Sequence, residues 1–344
     1  MRIGIASFAH PHAPGYARIL TGTEGTEVLI ADPDQATGED WRRQAWQHAQ
    51  SAGAVPVPGY DELFAAGLDG LIVCSENAAH RDLVTRAAAA GIPVLCEKPL
   101  ATTLADARDM VTACERRGVP LMMAYPVRFS PVVAELRRAV AGGTLGALQA
   151  CVGRNNGRIP LGGQSWFTDP GLAGGGALMD HVVHVADILL MLLGSPPVQV
   201  YAQANRIFHG SAVRVETGGI LAVTFGSGVV ATIDFSWSRP DSYPAWGGLT
   251  LELTGDQGWL AADMFGPTLT GFSDDTSGPV WISLAEDTDR LMLAEFLAAI
   301  GDGRPPVPDG RAGLATLEIV LAGYESARTG QPVPLGPARG DAAQ

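Results

Sequence analysis

The first 125 residues alternate short apolar runs with helix-length amphipathic segments, an order that few folds accommodate. The runs fall at 2–6, 27–31, 68–74, 92–96 and 120–124, and helix patterns separate them at 14–20, 39–52, 60–66, 78–90 and 104–117. Runs this apolar are buried on both faces, and the intervening segments are long enough for crossover helices. The expected product is a parallel, doubly wound α/β sheet of the Rossmann kind. In such a sheet ligands bind at the carboxyl ends of the strands. Those ends carry Ser7, Asp32, Ser75, the pair Glu97 and Lys98, and Tyr125.

After Pro131 the texture changes. A helix at 132–141 leads to strand patterns at 149–154, 198–204, 219–225, 229–235, 249–254 and 258–263. Turn signals between them predict a second, α+β domain with a large open, mostly antiparallel sheet. The expected division is 1–125 for dinucleotide binding and 126–337 for substrate binding and oligomerisation, with a frayed tail at 338–344. Helices at 287–300 and 314–328 close the chain, and the stretch 287–328 can pack back on the first domain.

A net charge of −13 over 344 residues argues against nucleic acid or an anionic membrane as partner, since both would be repelled. The four cysteines, Cys74, Cys96, Cys114 and Cys151, have no CxxC spacing, so reduced core thiols in a cytoplasmic protein are expected, without a metal. No signal peptide and no apolar segment of membrane-spanning length is evident.

The chemistry concentrates in a few places. Gly174, Gly175 and Gly176 run into an amphipathic helix on which Asp180 and His184 are four residues apart and share a face. His181 lies one position off that face and is expected to pack or cap. Alone, the Asp180–His184 pair is equally half of a metal site or a buried hydrogen-bonded pair. The loop after the first strand lacks a GxGxxG fingerprint: its glycine positions fall on Ser7, Ala9 and His12. A pyrophosphate there would rely on the helix N-terminus behind the loop, with His10 and His12 adding donors.

Asp32 closes the second strand where a carboxylate meets the adenosine ribose hydroxyls. No lysine or arginine follows before Arg42, which favours NAD over NADP. A turn-forming Asp-Pro is the blander account. Lys98, at a strand mouth beside Glu97 and before Pro99, is placed to polarise a substrate hydroxyl or carbonyl.

Taken in order, Asp32, the segment Ser75-Glu76-Asn77-Ala78-Ala79-His80, Glu97-Lys98-Pro99-Leu100-Ala101, Arg128-Phe129-Ser130-Pro131, and the glycine run with Asp180, His184 and Asp187 make a recognisable set. The chain resembles the glucose-fructose oxidoreductase and inositol dehydrogenase family, down to the closing Tyr324-Glu325-Ser326-Ala327-Arg328-Thr329-Gly330. The resemblance implies hydride transfer between NAD and a hydroxyl carbon of a sugar, cyclitol or related polyol. It places Lys98, Asp180 and His184 around that carbon as catalytic residues. Ser7, Phe8, Ala9, His10, His12, Asp32, Cys74, Ser75, Glu76, Asn77, His80, Glu97, Lys98 and Tyr125 are the expected cofactor contacts. Substrate contacts are expected from Lys98, Tyr125, Arg154, Asn156, Trp166, Asp180 and His184. Asn155, Arg158, Gln164 and Phe167 join that set, with Trp237, Arg239 and Tyr243 as a second one. The resemblance also implies a homodimer or homotetramer. Either His184 or Lys98 can take the proton. A glycosidase working by transient oxidation with NAD, or a non-catalytic NAD or sugar sensor, are the competing readings.

Overall fold

The computed structural model describes every residue except 37, 162–164, 211, 244, 274–277 and 337–344, so Gln164 and the tail at 338–344 lie outside the described residues. The chain forms two compact units. The first comprises Met1–Pro126, Pro160–Gly175 and Asp287–Leu317, and the second Val127–Ile159, Gly176–Glu286 and Glu318–Gln344.

In the first unit, strands β1 (Arg2–Ala6), β2 (Glu27–Ala31), β3 (Val55–Pro56), β4 (Gly70–Val73), β5 (Val94–Cys96) and β6 (Leu121–Met123) pair in parallel in the order β3-β2-β1-β4-β5-β6. Helices α1 (Ala13–Thr21), α2 (Asp40–Ser51), α3 (Tyr60–Ala65), α4 (His80–Ala90) and α5 (Leu104–Arg117) make the crossovers. This is the strand order of a dinucleotide-binding sheet, with its switch point between β1 and β4. Ile3, Ile5, Ile30, Leu71, Ile72, Val94 and Leu95 are fully or almost fully buried, which is why the runs carry no alternation. Gly4 lies inside β1, where a Cβ would come within 2.6 Å of Leu68, so it serves packing rather than phosphate binding. The two-residue β3 leaves no trace in the sequence pattern, because Val55–Pro56 is too short to show a period.

In the second unit, α6 (Pro131–Ala141) precedes β7 (Leu148–Arg158), which is longer than the run at 149–154. A short helix α7 (Pro170–Ala173) belongs to the first unit, and α8 (Ala177–Leu193) to the second. Strands β8 (Pro197–Asn205), β9 (Gly218–Phe225), β10 (Val230–Arg239), β11 (Gly247–Gly255) and β12 (Gly258–Asp263) follow. A hairpin of β13 (Thr268–Ser273) and β14 (Gly278–Ser283) stands apart. Helices α9 (Thr288–Asp302) and α10 (Gly310–Thr329) and strand β15 (Val333–Pro334) end the chain. The sheet runs β12-β11-β7-β10-β9-β8-β15, antiparallel except where β10 meets β7.

α8 packs on the face of this sheet lined by Gly153 and Gly157: a Cβ at Gly153 would lie 2.4 Å from Val185, and one at Gly157 3.2 Å from His181. Pro170–Leu193 is long and apolar enough to cross a membrane, with mean hydropathy 1.6, which corrects the expectation that no segment is. Its most apolar window is 83% buried, as befits a core helix. Near the middle of α8, Asp187 is 1% exposed and bonded side-on by Arg128, at 2.8 and 2.7 Å. Burial pushes the Asp187 carboxyl up to about 6 against the pull of Arg128. Removing one partner of such a pair strands a buried charge. Arg128→Met should cost about 3–5 kcal/mol in a denaturant melt at pH 7.5, and a loss below about 1 kcal/mol would show the pair to be dispensable.

Candidate active site

In the first unit, the expected cofactor residues gather at the mouths of β1, β2, β4 and β5. Ser7 stands at the first glycine position of the loop with φ 73°, in the left-handed region that glycine usually fills. Its hydroxyl accepts from Ala9 N at 3.2 Å and from the Arg42 guanidinium at 3.0 Å, so hydrogen bonds offset the backbone cost. Phe8 turns its ring inward, edge-on to Trp46 at 5.3 Å, and gives its N–H to Asp32 at 2.9 Å.

Arg42, the first cation after Asp32 in the sequence, faces Asp32 in the fold. It reaches back from the first turn of α2 and binds Asp32 side-on, with both bonds 2.7 Å, and donates to Glu76 at 2.8 Å. Asp34 lies 3.7 Å away. The guanidinium presents two N–H donors to Asp32, the pattern a vicinal diol would present with two O–H groups. Both oxygens of the Asp32 carboxylate are thus engaged by the one guanidinium.

At the mouth of β5, Glu97 is fully buried, and its Oε1 lies 2.9 Å from His12 Nδ1, 3.5 Å from His10 Nδ1 and 2.7 Å from the Tyr16 hydroxyl. Burial opposes its ionisation, yet His10, His12 and Lys98 hold its carboxyl well below the usual range. The donor atoms of His10, His12 and Glu97 converge within 4.8 Å of one another, and hydrogen bonds to Glu97 close the cluster. Glu97 Oε2 also accepts from Lys98 N at 3.1 Å, so the turn bearing Lys98, itself 5% exposed, is pinned from beneath.

Several expected cofactor residues are hydrogen-bonded within the first unit. His80 is fully buried, with its ring nitrogens 3.0 Å from Pro99 O and 3.3 Å from Ser75 O; burial lowers its pKa. The Asn77 amide donates to Ala173 O at 2.8 Å, and Ser75 to Glu76 O at 3.2 Å. Cys74 is buried, burial pushes its thiol well up, and its carbonyl accepts from His10 N. The Tyr125 hydroxyl lies 2.6 Å from Thr316 Oγ1 in the core. Trp166, expected on the substrate, belongs to the first unit: its indole N–H donates to Ala9 O at 3.0 Å, and its ring packs with Phe167 beside His10. Buried polar groups at strand mouths need such partners whether or not they also meet a ligand.

In the second unit, Asp180 and His184 lie on the first turns of α8. Gly176 is required there, because a Cβ would meet Glu216 O at 2.0 Å. Glu216 Oε1 accepts from Gly176 N and Leu178 N at 2.9 Å, and Glu216 O from Ala177 N at 3.0 Å. The Tyr324 hydroxyl accepts from Met179 N at 3.2 Å and donates to Glu216 at 2.7 Å. Burial raises the pKa of Glu216 against these bonds. Asp180 and His184, each 8% exposed, ride on the helix so anchored. Asp180 Oδ2 accepts from the Trp237 indole at 3.1 Å and lies 3.2 Å from His181 Nε2, while His181 Nδ1 donates to Asn155 O at 2.7 Å. Trp237, taken from sequence as a substrate contact, is thus fully buried and holds Asp180.

Strand period separates the remaining candidates. Gly153, Asn155 and Gly157 of β7 face α8, so Arg154 and Asn156 project from the opposite face. Arg154 and Asn156 line a pocket of about 340 Å³ with Arg239, Tyr243 and Trp246, whose ring also packs 5.3 Å from that of His181. Arg239 sits 4.5 Å above the Tyr243 ring. Arg154 and Asn156 therefore do not join Asp180 and His184 on the α8 face. Glu216 and Arg42 were missed in sequence because each acts at long range through the fold; for Tyr324 the closing motif was the only signal.

Comparison with known proteins agrees with this architecture. Residues 3–125 match the profile of the oxidoreductase family with an NAD-binding Rossmann fold, and residues 133–261 the GFO/IDH/MocA C-terminal domain. D-apiose dehydrogenase of Paraburkholderia graminis is 31% identical over 286 residues, 79% of this chain and 74% of that protein. D-xylose 1-dehydrogenase (NADP(+)) 2 of Haloferax volcanii is 30% identical over 343 residues, 97% of this chain and 100% of that one. The crystal structure of GenD2 from gentamicin A biosynthesis in complex with NAD shares the fold, with a TM-score of 0.85 at 23% identity over 98% of this chain and 97% of that one. The chain therefore belongs to the Gfo/Idh/MocA family of oxidoreductases, whose members bind a nicotinamide cofactor and act on sugars and polyols.

Proposed function

We propose that the chain is an NAD-dependent dehydrogenase of a neutral sugar or cyclitol. The observation that carries this reading is Lys98, held at the mouth of β5 in a dinucleotide-binding sheet by a buried Glu97. Bound nicotinamide supplies the hydride acceptor. Lys98 binds the reacting oxygen and stabilises its developing negative charge. His184 takes the hydroxyl proton, and Asp180, oriented by Trp237, accepts from a neighbouring hydroxyl. The resemblance supports these roles residue by residue, and the anchoring of α8 supports the rigidity they need.

NAD is preferred to NADP because Arg42, the cation at the ribose position, is already matched by Asp32, Glu76 and Asp34. A 2′-phosphate would meet a net negative cluster. Homo-oligomerisation through the sheet face opposite α8 is supported by Val152, Ile220, Val230 and Trp259, which are 37%, 58%, 44% and 58% exposed on it.

The test is steady-state NADH formation with a panel of pentoses, hexoses and inositols, run in parallel with NADP. Turnover with at least one neutral sugar and a kcat/KM favouring NAD is expected. Release of an aglycone from glycosides without net NADH would replace the reading with the glycosidase one, and NAD binding with no turnover on any substrate would replace it with the sensor.

A further inference from the structure

Rossmann loops bind pyrophosphate mainly through backbone N–H groups that the turn and the helix N-terminus leave open. Here those groups are already spent. Ser7 N donates to Ala31 O at 2.8 Å, Phe8 N to Asp32, Ala9 N to Ser7 Oγ, and His10 N to Cys74 O at 2.9 Å. His12 N donates to His10 Nδ1 at 3.4 Å, Ala13 N to His10 O at 3.2 Å, and Tyr16 N to His12 O at 2.9 Å. Pro11 and Pro14 have no N–H. Between Ser7 and Tyr16 only Gly15 remains as a backbone donor, so the phosphate charge must be met by a side chain.

We infer that the His12 imidazolium takes the place of the glycine-loop amides as the counter-charge and hydrogen-bond donor for the diphosphate of the coenzyme, which makes coenzyme affinity depend on pH. This rests on the NAD reading above and names the group that holds the phosphates. His12 is the N-cap residue of α1 and its side chain is 32% exposed, whereas that of His10 is 1% exposed. One ring nitrogen, Nδ1, is tied to Glu97 and lies 3.1 Å from the Tyr16 hydroxyl, which leaves Nε2 as the outward donor of a protonated ring. The groups that face His12 are Glu97 and Lys98 at the end of β5, Tyr16 on α1, Asp289 on α9, and His10 on the loop. Burial disfavours the charged ring, but Glu97, seconded by Asp289, outweighs burial and Lys98 and raises the His12 pKa above its ordinary value. The ring is therefore charged below that raised pKa and loses its charge as pH rises through it. Diphosphate binding should be strongest on the acid side and weaken toward alkaline pH.

The experiment is calorimetric titration of the full chain with NAD and with adenosine, from pH 6 to pH 9, for the unaltered protein, His12→Gln and His12→Arg. For the unaltered protein, NAD affinity should fall by roughly tenfold across that range while adenosine affinity stays level. His12→Gln should bind NAD about tenfold more weakly at pH 6 and show no pH dependence, and His12→Arg should bind tightly throughout. A thermal melt of each variant checks its folding. A level NAD affinity in the unaltered protein, or His12→Gln binding as tightly at pH 6, overturns the inference while leaving the coenzyme reading intact. No NAD binding by the unaltered protein at any pH overturns both.

Discussion

Lys98→Ala and His184→Ala should each lower kcat by about 10²–10⁴-fold with the best sugar substrate, while NAD affinity stays close to that of the parent. The size follows from the roles: one removes the charge that stabilises the developing alkoxide, the other the base that takes its proton. Losing either should act on the chemical step, so kcat and kcat/KM fall together. Lys98 is held by a backbone bond to Glu97 that the substitution leaves in place, and His184 sits on a helix whose start is fixed by Glu216 and Tyr324. Neither change should unfold the chain. Because Lys98 and His184 compete for the role of proton acceptor, their pH profiles separate them: the variant that loses the acid limb of kcat has lost the base. Turnover within about threefold of the parent in either variant sinks the assignment.

Asp32→Ala should weaken NAD by about 10- to 100-fold and bring NADP to parity or better. A charge-assisted hydrogen bond is worth about 1.5–3 kcal/mol, and each 1.4 kcal/mol is a factor of ten. Loss of the carboxylate removes the ribose acceptor. It also releases the Arg42 guanidinium from its two 2.7 Å bonds, leaving Glu76 as its nearest anion. A freed guanidinium is a ready partner for a 2′-phosphate. Titration with both coenzymes reads the ratio directly. An unchanged NAD affinity refutes the ribose role of Asp32, and a lower affinity for both coenzymes without a change in ratio refutes the masking role of Arg42.

What the sequence disclosed follows from the range of the forces involved. The parallel sheet was legible because strands such as Gly70–Val73 are buried on both faces and show it as uninterrupted apolar runs. The length of β7 was not, because its second half, Asn155–Arg158, is polar and is strand only by pairing with β10 and β11. Asp180 and His184 were found by helical spacing, a local property. The face of β7 that carries Arg154 and Asn156 was not legible, because period two says that neighbours alternate but not which face meets α8. Arg42 was discounted by counting residues from Asp32, whereas the first turn of α2 folds the side chain back over that distance. The glycine count at the first loop discloses only that the GxGxxG fingerprint is lacking. The turn is present, with Ser7 in the left-handed conformation, and what is missing is the supply of open amides.

The start of α8 has a bearing on which molecules the protein turns away. A helix beginning there would ordinarily be a welcoming seat for an acid, since its leading amides carry partial positive charge. In this chain Glu216 and Tyr324 have taken that seat permanently, bonding the amides of Gly176, Leu178 and Met179. On the proposed reading, an aldonic or uronic acid gains nothing from these amides and meets the Asp180 carboxylate as a like charge. Under the proposed assignment of Asp180 to the substrate, the way the helix is tied down favours uncharged sugars.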